Sequence, residues 1–415
     1  MIYLNKEHSY LYKINSKKGI ISNKFTGNYK YIPIECFKAL EYANENNIEL
    51  HELTKVFEDE EDQQYYLKLL EMLKKLGLVS NKKEKQLEIS CINKIDISLT
   101  NRCNLNCGYC CVESENSSKF KELSFEEVKN MIDVVLKNLK PTFINLSGGE
   151  IFLRKDIYDI ISYIRSKFEG HLRISTNGTL IKEERLEFLV KNIDSIDISL
   201  DGYNEETVSK ERGKGTFTKV INLINNLKNK NFNKIQLSLV ESKKTELYID
   251  KFKQLADELE INSIIRSFNS FGRGNKNSAY VHDDRDIKYF TKNIDNSYLQ
   301  LDYVSVCRAG TNSIFVNYDG NVFLCPNLQD EKFKICDISE IDDCFLDKIS
   351  NNEFKAYENL EKIKTKSFDY CSDCGYKLFC CTCPASMAMI YDNKKLLEHN
   401  CKKFKEQLGI NLDTI

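Results

Sequence analysis

The chain has 415 residues, 41 % of them hydrophobic, with 60 basic side chains against 62 acidic ones and a formal net charge of −2. That length exceeds one ordinary hydrophobic core and implies two or three domains. The balanced charge leaves no footprint for an obligatory nucleic-acid partner. No run approaches the roughly 18 apolar residues of a membrane span, and the opening Met1-Ile2-Tyr3-Leu4-Asn5-Lys6-Glu7-His8 has no apolar signal core. A cytoplasmic protein with no membrane partner is expected. In a reducing compartment its 16 cysteines read as metal ligands or catalysts, not disulfides. Four of them lie between Cys103 and Cys111, ten between Cys307 and Cys401, and none from Val112 to Val306.

The first 80 residues read as a small separate unit. Tyr10 to Ile14 and Ile20 to Ser22 flank the polar turn Asn15-Ser16-Lys17-Lys18-Gly19, which predicts a hairpin. Helical patterns follow. Pro33 suits a first helical turn ahead of Phe37 and Leu40, where Cys36 reads as a packing residue. Tyr66, Leu69, Leu70, Leu73 and Leu76 mark a stronger amphipathic helix ending at Gly77. A Lys-rich stretch, Ser80 to Lys85, reads as a linker.

From Lys94 to Phe268, β-type runs alternate with amphipathic helices. The strands are Ile95 to Leu99, Phe143 to Leu146, Leu172 to Ser175, Ser195 to Leu200, Ile235 to Val240 and Ile264 to Phe268. Helical spacing between them includes Val128/Met131/Ile132/Val135 and Ile157/Ile160/Ile161/Ile164. Six such repeats imply parallel strands, in a doubly wound sheet or an incomplete barrel. Either architecture gathers ligands at the carboxyl ends of its strands. After Gly274 the alternation fades into a cysteine-rich region, in which Ser313 to Asn317 and Val322 to Leu324 flank Tyr318-Asp319-Gly320-Asn321 as a hairpin leading into Cys325.

Directly after the first strand stands Cys103-Asn104-Leu105-Asn106-Cys107-Gly108-Tyr109-Cys110, a C-x3-C-x2-C spacing. Three thiolates on one loop can hold three irons of a four-iron cluster, whose usual complement is four cysteines, leaving one iron open for a cofactor. A zinc site would need a fourth ligand, and Cys111, adjacent to Cys110, is poorly placed for it and reads as a packed thiol. The second strand ends in Ser147-Gly148-Gly149-Glu150, whose glycines permit close backbone approach and whose carboxylate can accept bonds from an ammonium group. Ser175 and Asn177 close the third strand, Ser199 and Asp201 the fourth. Such side chains suit ribose hydroxyls and a carboxylate, and equally suit turns and helix caps.

The cysteine loop, Tyr109 and the Gly-Gly-Glu turn together resemble the radical S-adenosylmethionine (radical SAM) enzymes. The resemblance implies a partial (β/α)6 TIM-like barrel, an α/β fold, with a [4Fe-4S] cluster on Cys103, Cys107 and Cys110. It further implies SAM contacts from Tyr109, Gly148, Gly149, Glu150, Ser175, Asn177, Ser199, Asp201 and Val240, with Arg212 pairing the SAM carboxylate. The later cysteines resemble the SPASM domain and its two auxiliary iron-sulfur clusters. By that resemblance Cys371, Cys374, Cys380 and Cys401 hold the distal cluster and Cys307, Cys325 and Cys383 the proximal one, with a zinc ribbon as the alternative. Two departures stand out. The spacing Cys380-Cys381-Thr382-Cys383 is one residue short, leaving Cys381 or Cys383 as ligand, and the proximal site has no obvious fourth cysteine, with Cys336 and Cys344 as candidates.

The N-terminal unit resembles the winged-helix-like, α+β recognition element of enzymes that mature ribosomally made peptides, which binds a leader peptide as an added strand. The implied domains are 1–85 for leader recognition, 92–274 for the radical SAM core and 300–415 for SPASM. The implied activity is anaerobic and oxidoreductive: SAM is reductively cleaved to a 5′-deoxyadenosyl radical that modifies a precursor peptide. A cysteine thioether is the leading product. Carbon-carbon crosslinking, epimerisation and formylglycine formation are the alternatives. The partners would be the precursor and an electron donor such as flavodoxin or ferredoxin. With five histidines and no evident triad, no general acid or base is assigned and the catalytic residue is unknown.

Overall fold

The computed structural model describes residues 1–6, 8–23, 28–81, 89–117, 121–268, 272–280, 307–364, 369–371, 374, 383–385, 387, 397–398 and 401–402. In the N-terminal region β1 (Tyr3–Leu4) precedes β2 (Ser9–Lys13), β3 (Lys18–Asn23) and β4 (Tyr29–Pro33). The hairpin read from Tyr10 to Ser22 forms as β2 and β3, and β4 adds a third antiparallel strand beyond β3. That strand escaped notice because it runs straight into α1 (Ile34–Asn46), with Pro33 as its N-cap. α2 (Glu60–Lys75) covers the predicted second amphipathic helix, and the segment between the two, Leu50–Val56, is a 3-10 turn. β5 (Val79–Ser80) returns to pair with β1. These elements share a core built on Ile21, Ile32, Phe37, Leu40, Leu70 and Leu73. Cys36 packs within it, 2 % exposed.

The central region delivers the six predicted strands in chain order. β6 (Lys94–Ser98), β7 (Phe143–Ser147), β8 (His171–Thr176), β9 (Ser195–Ser199), β10 (Ile235–Glu241) and β11 (Asn262–Ser267) lie side by side and parallel. Their crossovers carry α3 (Phe125–Leu139), α4 (Ile157–Lys167), α5 (Leu186–Asn192), α6 (Glu205–Arg212), α7 (Thr216–Asn229) and α8 (Ile249–Glu258). Alternation along the strands explains the layers. Ile95, Ile97, Ile144, Leu146, Leu172 and Ile174 pack against the helices, whereas Asp96, Asn145 and Asp197, at the intervening positions, form a buried polar face. α3 starts with a capping box between Ser124 and Glu127, a feature that stabilises a helix start by about 1 kcal/mol. α6 lacks a helical hydrophobic stripe, burying only Thr207, Val208 and Glu211, and for that reason was not legible in the sequence.

The C-terminal region continues the same sheet. β12 (Ser313–Val316) pairs parallel with β6, and β13 (Asn321–Phe323) and β14 (Lys334–Asp337) extend it antiparallel, completing a mixed nine-stranded sheet. The predicted hairpin at Tyr318 to Asn321 is the β12–β13 connection. α9 (Phe345–Ser350) and α10 (Lys355–Lys362) follow, and Ile314, Val322, Phe345 and Leu360 belong to the hydrophobic core that also holds the central strands. Among the described residues no helix is long and apolar enough to cross a membrane.

Candidate active site

The first cysteine loop leaves the carboxyl end of β6, where a parallel sheet opens to ligands. Its base is anchored by two arginines. The Arg102 guanidinium forms a fork with the Glu122 carboxylate at 2.8 and 2.9 Å, and buried Arg154 donates to the carbonyls of Leu99 (3.0 Å) and Leu123 (2.9 Å). Backbone N–H groups of Leu105 and Ser114 point at the sulfurs of Cys103 and Cys110, both at 3.4 Å. Such donors favour thiolates. Burial pushes the Cys103 thiol up to about 11, and Glu150, Cys107 and Cys110 add to the effect. The three thiols are therefore close enough to disfavour one another's charge, a conflict that cationic iron would relieve. Among the described residues no three Cys, His, Asp or Glu side chains converge as ligands of a single ion do. A four-iron cluster asks for a wider triangle, because each cysteine takes its own iron.

The Gly-Gly-Glu turn lies against this loop. Gly149 N–H donates to the Thr100 carbonyl and Glu150 N–H to the Arg102 carbonyl, each at 2.8 Å. A Cβ on Gly148 would stand 2.4 Å from the Thr100 oxygen, and one on Gly149 2.3 Å from the Arg102 oxygen. The glycines thus admit the cysteine loop itself at close range. Glu150 is fully buried, and its carboxylate accepts from the Thr176 hydroxyl (2.8 and 2.9 Å), Asn177 N–H (2.8 Å) and Phe152 N–H (3.2 Å). Burial raises its pKa, and those donors work against the rise. Its described role is to tie the end of β7 to the end of β8.

Asn177 reaches the loop from β8, donating through Nδ2 to Asn104 Oδ1 at 2.9 Å and pointing at Cys103 Sγ at 3.9 Å. Ser175 donates to Asn145 Oδ1 at 3.0 Å, and Ser199 stands 3.4 Å from the Ser238 hydroxyl. Asp201, wholly buried, accepts from the Tyr109 hydroxyl, from Arg212 Nε (2.5 Å) and from Val240 N–H (2.5 Å). Its backbone is left-handed, φ 57°, which Asp tolerates better than most residues. Arg212 ends α6, its side chain 10 % exposed, and lies over the Tyr109 ring at 5.8 Å. Arg212 also stands four residues ahead of α7. α6, which it closes, is a helix the sequence pattern does not announce. Val240 packs against Cys107, Tyr109 and Tyr280, with Leu105 and Phe268. The nine expected SAM contacts and Arg212 thus stand on the ends of β7 to β10, on α6 and on the cysteine loop.

The later cysteines form two groups. Cys307 precedes β12 and Cys325 follows β13, placing both toward the amino-terminal end of β6, opposite Cys103. Burial pushes the Cys325 thiol up to about 12, and Cys383 and Cys307 raise it further. Cys383 also raises Cys307, behind the larger effect of desolvation. Cys336 lies in the hydrophobic core on β14, and Cys344 is exposed ahead of α9. Cys325 packs against the same hydrophobic core that holds Cys336. Cys371 packs with Met387, Leu397 and Cys401, and Cys371, Cys374 and Cys401 all act on the Tyr370 hydroxyl. Cys380 and Cys381 lie outside the described residues. Cys111, expected to be packed, is exposed as a residue, while burial of its thiol pushes it up to about 11.

Two residues at the site were missed. Arg273 bonds the cysteine loop, and Tyr280 stacks edge-on against Tyr109 with centroids 5.4 Å apart and donates to Glu211 at 2.8 Å. Arg273 sits in Gly272-Arg273-Gly274, whose paired glycines were the available signal.

The arrangement fits a four-iron cluster and SAM: three cysteines on a loop at the open end of the sheet, an aromatic floor and a buried arginine. The Radical SAM superfamily model matches residues 97–255, and the SPASM iron-sulfur cluster-binding domain model matches residues 307–375. The mycofactocin maturase MftC of Mycolicibacterium smegmatis is 32 % identical over 187 residues, 45 % of this chain, and this chain spans 46 % of that protein's length. A probable GTP 3′,8-cyclase of Saccharolobus islandicus is 26 % identical over 270 residues, 60 % of this chain and 87 % of its own. Among solved structures, Streptococcus suis SuiB bound to S-adenosylmethionine superposes with a TM-score of 0.55 at 16 % identity, over 95 % of this chain and 98 % of SuiB, a likeness of fold. The chain belongs to the radical SAM superfamily: it is a radical SAM enzyme with a C-terminal SPASM domain.

Proposed function

We propose that the enzyme is a peptide maturase that closes a thioether between a cysteine sulfur and a carbon of another residue in a ribosomally made precursor. The observation that carries this reading is that Cys307 and Cys325 flank the β12–β13 hairpin on the same side, with Cys383 close enough to raise both thiols behind the larger effect of burial. Three cysteines leave one iron of a four-iron cluster open, and a peptide thiolate is a fitting fourth ligand. When bound, the first cluster and SAM supply the 5′-deoxyadenosyl radical that removes a hydrogen atom from the peptide.

In this reading Cys103, Cys107 and Cys110 hold the first cluster, and Arg212, aligned by Asp201, offers its two Nη groups to the SAM carboxylate. Tyr109 and Val240 face the adenosine, Ser175 and Ser199 its hydroxyls. Cys307, Cys325 and Cys383 fix the substrate sulfur. Forming the C–S bond removes one hydrogen atom from carbon and one proton from sulfur. An auxiliary cluster held by Cys307, Cys325 and Cys383 would take up the surplus electron, and flavodoxin or ferredoxin would supply the initiating one. In this reading the leader peptide adds as a further strand at an edge of the three-stranded β2–β3–β4 sheet of the N-terminal region. SuiB, solved with its precursor peptide SuiA, shares this fold over 92 % of the chain.

The test is anaerobic coexpression with a short cysteine-containing precursor encoded beside the gene, read by mass spectrometry. A loss of two hydrogens per crosslink, with the cysteine no longer alkylable, is the expected result. An unchanged mass, or a formylglycine in its place, rejects the thioether.

A further inference from the structure

Residues 272–280 run as two short 3-10 turns, Gly272–Lys276 and Ser278–Tyr280, against a cysteine loop that lies more than 150 residues earlier in the chain. Arg273 makes three bonds to it. Its backbone N–H donates to the Cys110 carbonyl (2.9 Å), Nε to the Cys107 carbonyl (2.9 Å) and Nη2 to the Ser114 carbonyl (2.8 Å). The fit is close on both sides. Gly272 has φ 52°, and a Cβ there would stand 2.6 Å from the Cys111 oxygen and 2.8 Å from that of Cys110. A Cβ on Gly108 would stand 2.9 Å from the Tyr280 ring and hydroxyl. Lys276 pairs with Glu113 across the same seam.

We propose that this strap is a clamp that sets the cluster loop before iron arrives, with Arg273 as its positioning residue and as a fixed positive charge beside the cluster. Within the loop the Cys107 and Cys110 carbonyls accept long turn bonds, from Cys110 N–H at 3.2 Å and Glu113 N–H at 3.4 Å, and Arg273 adds a shorter donor to each. A planar guanidinium satisfies two carbonyls at once in fixed geometry, which an ammonium cannot. Net charge and hydrogen bonding around a cluster set its reduction potential, so Arg273 favours the reduced cluster, which carries one more negative charge. Because Tyr280 also packs on Tyr109, the strap links the geometry of the cysteines to that of the pocket beside them.

The inference rests on reading Cys103, Cys107 and Cys110 as cluster ligands, and the experiment has one arm that does not. In the iron-free full chain, timed iodoacetamide labelling of Cys107 and Cys110 is compared among the parent, Arg273→Gln and Arg273→Lys. Loss of the fork in either variant speeds labelling about tenfold or more. After anaerobic reconstitution, iron content and the potential of the first cluster are followed by electron paramagnetic resonance. Arg273→Gln shifts the potential to more negative values, and Arg273→Lys, which keeps the charge, restores it. Labelling rates within about twofold of the parent in both variants overturn the clamp, and an unchanged potential in Arg273→Gln overturns the electrostatic part. Should Arg273→Gln fail to fold, Arg273→Lys decides the labelling, and Gly272→Ala, which drives a methyl group into the loop, repeats it independently. A parent chain that binds no iron defeats the cluster reading and leaves the labelling arm to judge the clamp alone.

Discussion

Arg212 meets Asp201 through Nε alone, at 2.5 Å, and the carboxylate that receives it is closed to solvent. Burial works against the charge on Arg212, and Asp201, the Tyr109 hydroxyl and Cys107 outweigh it. One edge of the guanidinium is thereby fixed and the other is aimed. Asp201→Asn keeps the shape and the left-handed backbone and removes the charge. It is expected to cost about 3 kcal/mol of stability and to weaken SAM binding, as measured by denaturant unfolding and calorimetric titration. Unchanged SAM affinity would detach this pair from the cofactor.

Replacing Cys107 by Ala removes a ligand from the first loop and leaves the later groups alone. The reconstituted variant should hold about four fewer irons per chain and form no 5′-deoxyadenosine. Retention of the full iron content would show that the loop is not a cluster site.

Cys383→Ala addresses the second group. Its expected outcome is separation of the two half-reactions: SAM is still cleaved, and the peptide returns without its crosslink. Product analysis of both species in one assay checks this, and normal crosslinking rules out a role for Cys383.

Deleting residues 1–80 removes a region with its own hydrophobic core. If that region tethers the leader, modification of the full precursor falls about a hundredfold through lost effective concentration, while uncoupled SAM cleavage continues. Undiminished modification would favour a sulfatase-type maturase, which has no use for a leader.

Cys36 supplies a pH test of packing. Burial, with Glu35 and Asp62 behind it, pushes its thiol up to about 11. In the native chain it should resist alkylation at pH 8 and react only as pH climbs toward that value, whereas exposed Cys344 reacts throughout. Timed labelling with peptide mapping distinguishes the two, and urea should abolish the difference.

Much of this architecture was readable because strand and helix periods alternate cleanly between Lys94 and Phe268. All six strand positions came from β-type runs whose apolar residues face the helices. What stayed hidden lacked a local signature. α6 has almost no apolar stripe, so nothing local announced that a helix positions Arg212. Glu150 was expected to meet an ammonium group, and only the folded chain brings Thr176 and Asn177 round to occupy its carboxylate. Arg273 reveals its purpose only when the strap folds back onto the cysteine loop, because an exposed guanidinium and one bonded to carbonyls look alike in sequence. The groupings of the later cysteines rested on family resemblance, since spacing alone does not say which thiols meet.

The pairing of β12 with β6 has an electrical consequence. Cys103 lies beyond one end of β6 and Cys307 and Cys325 toward the other, and the five residues of β6 form the part of the interval that is ladder. At about 3.3 Å per residue that is roughly 17 Å of hydrogen-bonded sheet. An electron passing between the two sites would cross a gap held constant by a rigid ladder, insensitive to any swing of one domain against another. If both groups hold clusters, the length of β6 contributes to the distance between them, and lengthening β6 together with its neighbours would slow electron transfer without touching a single ligand.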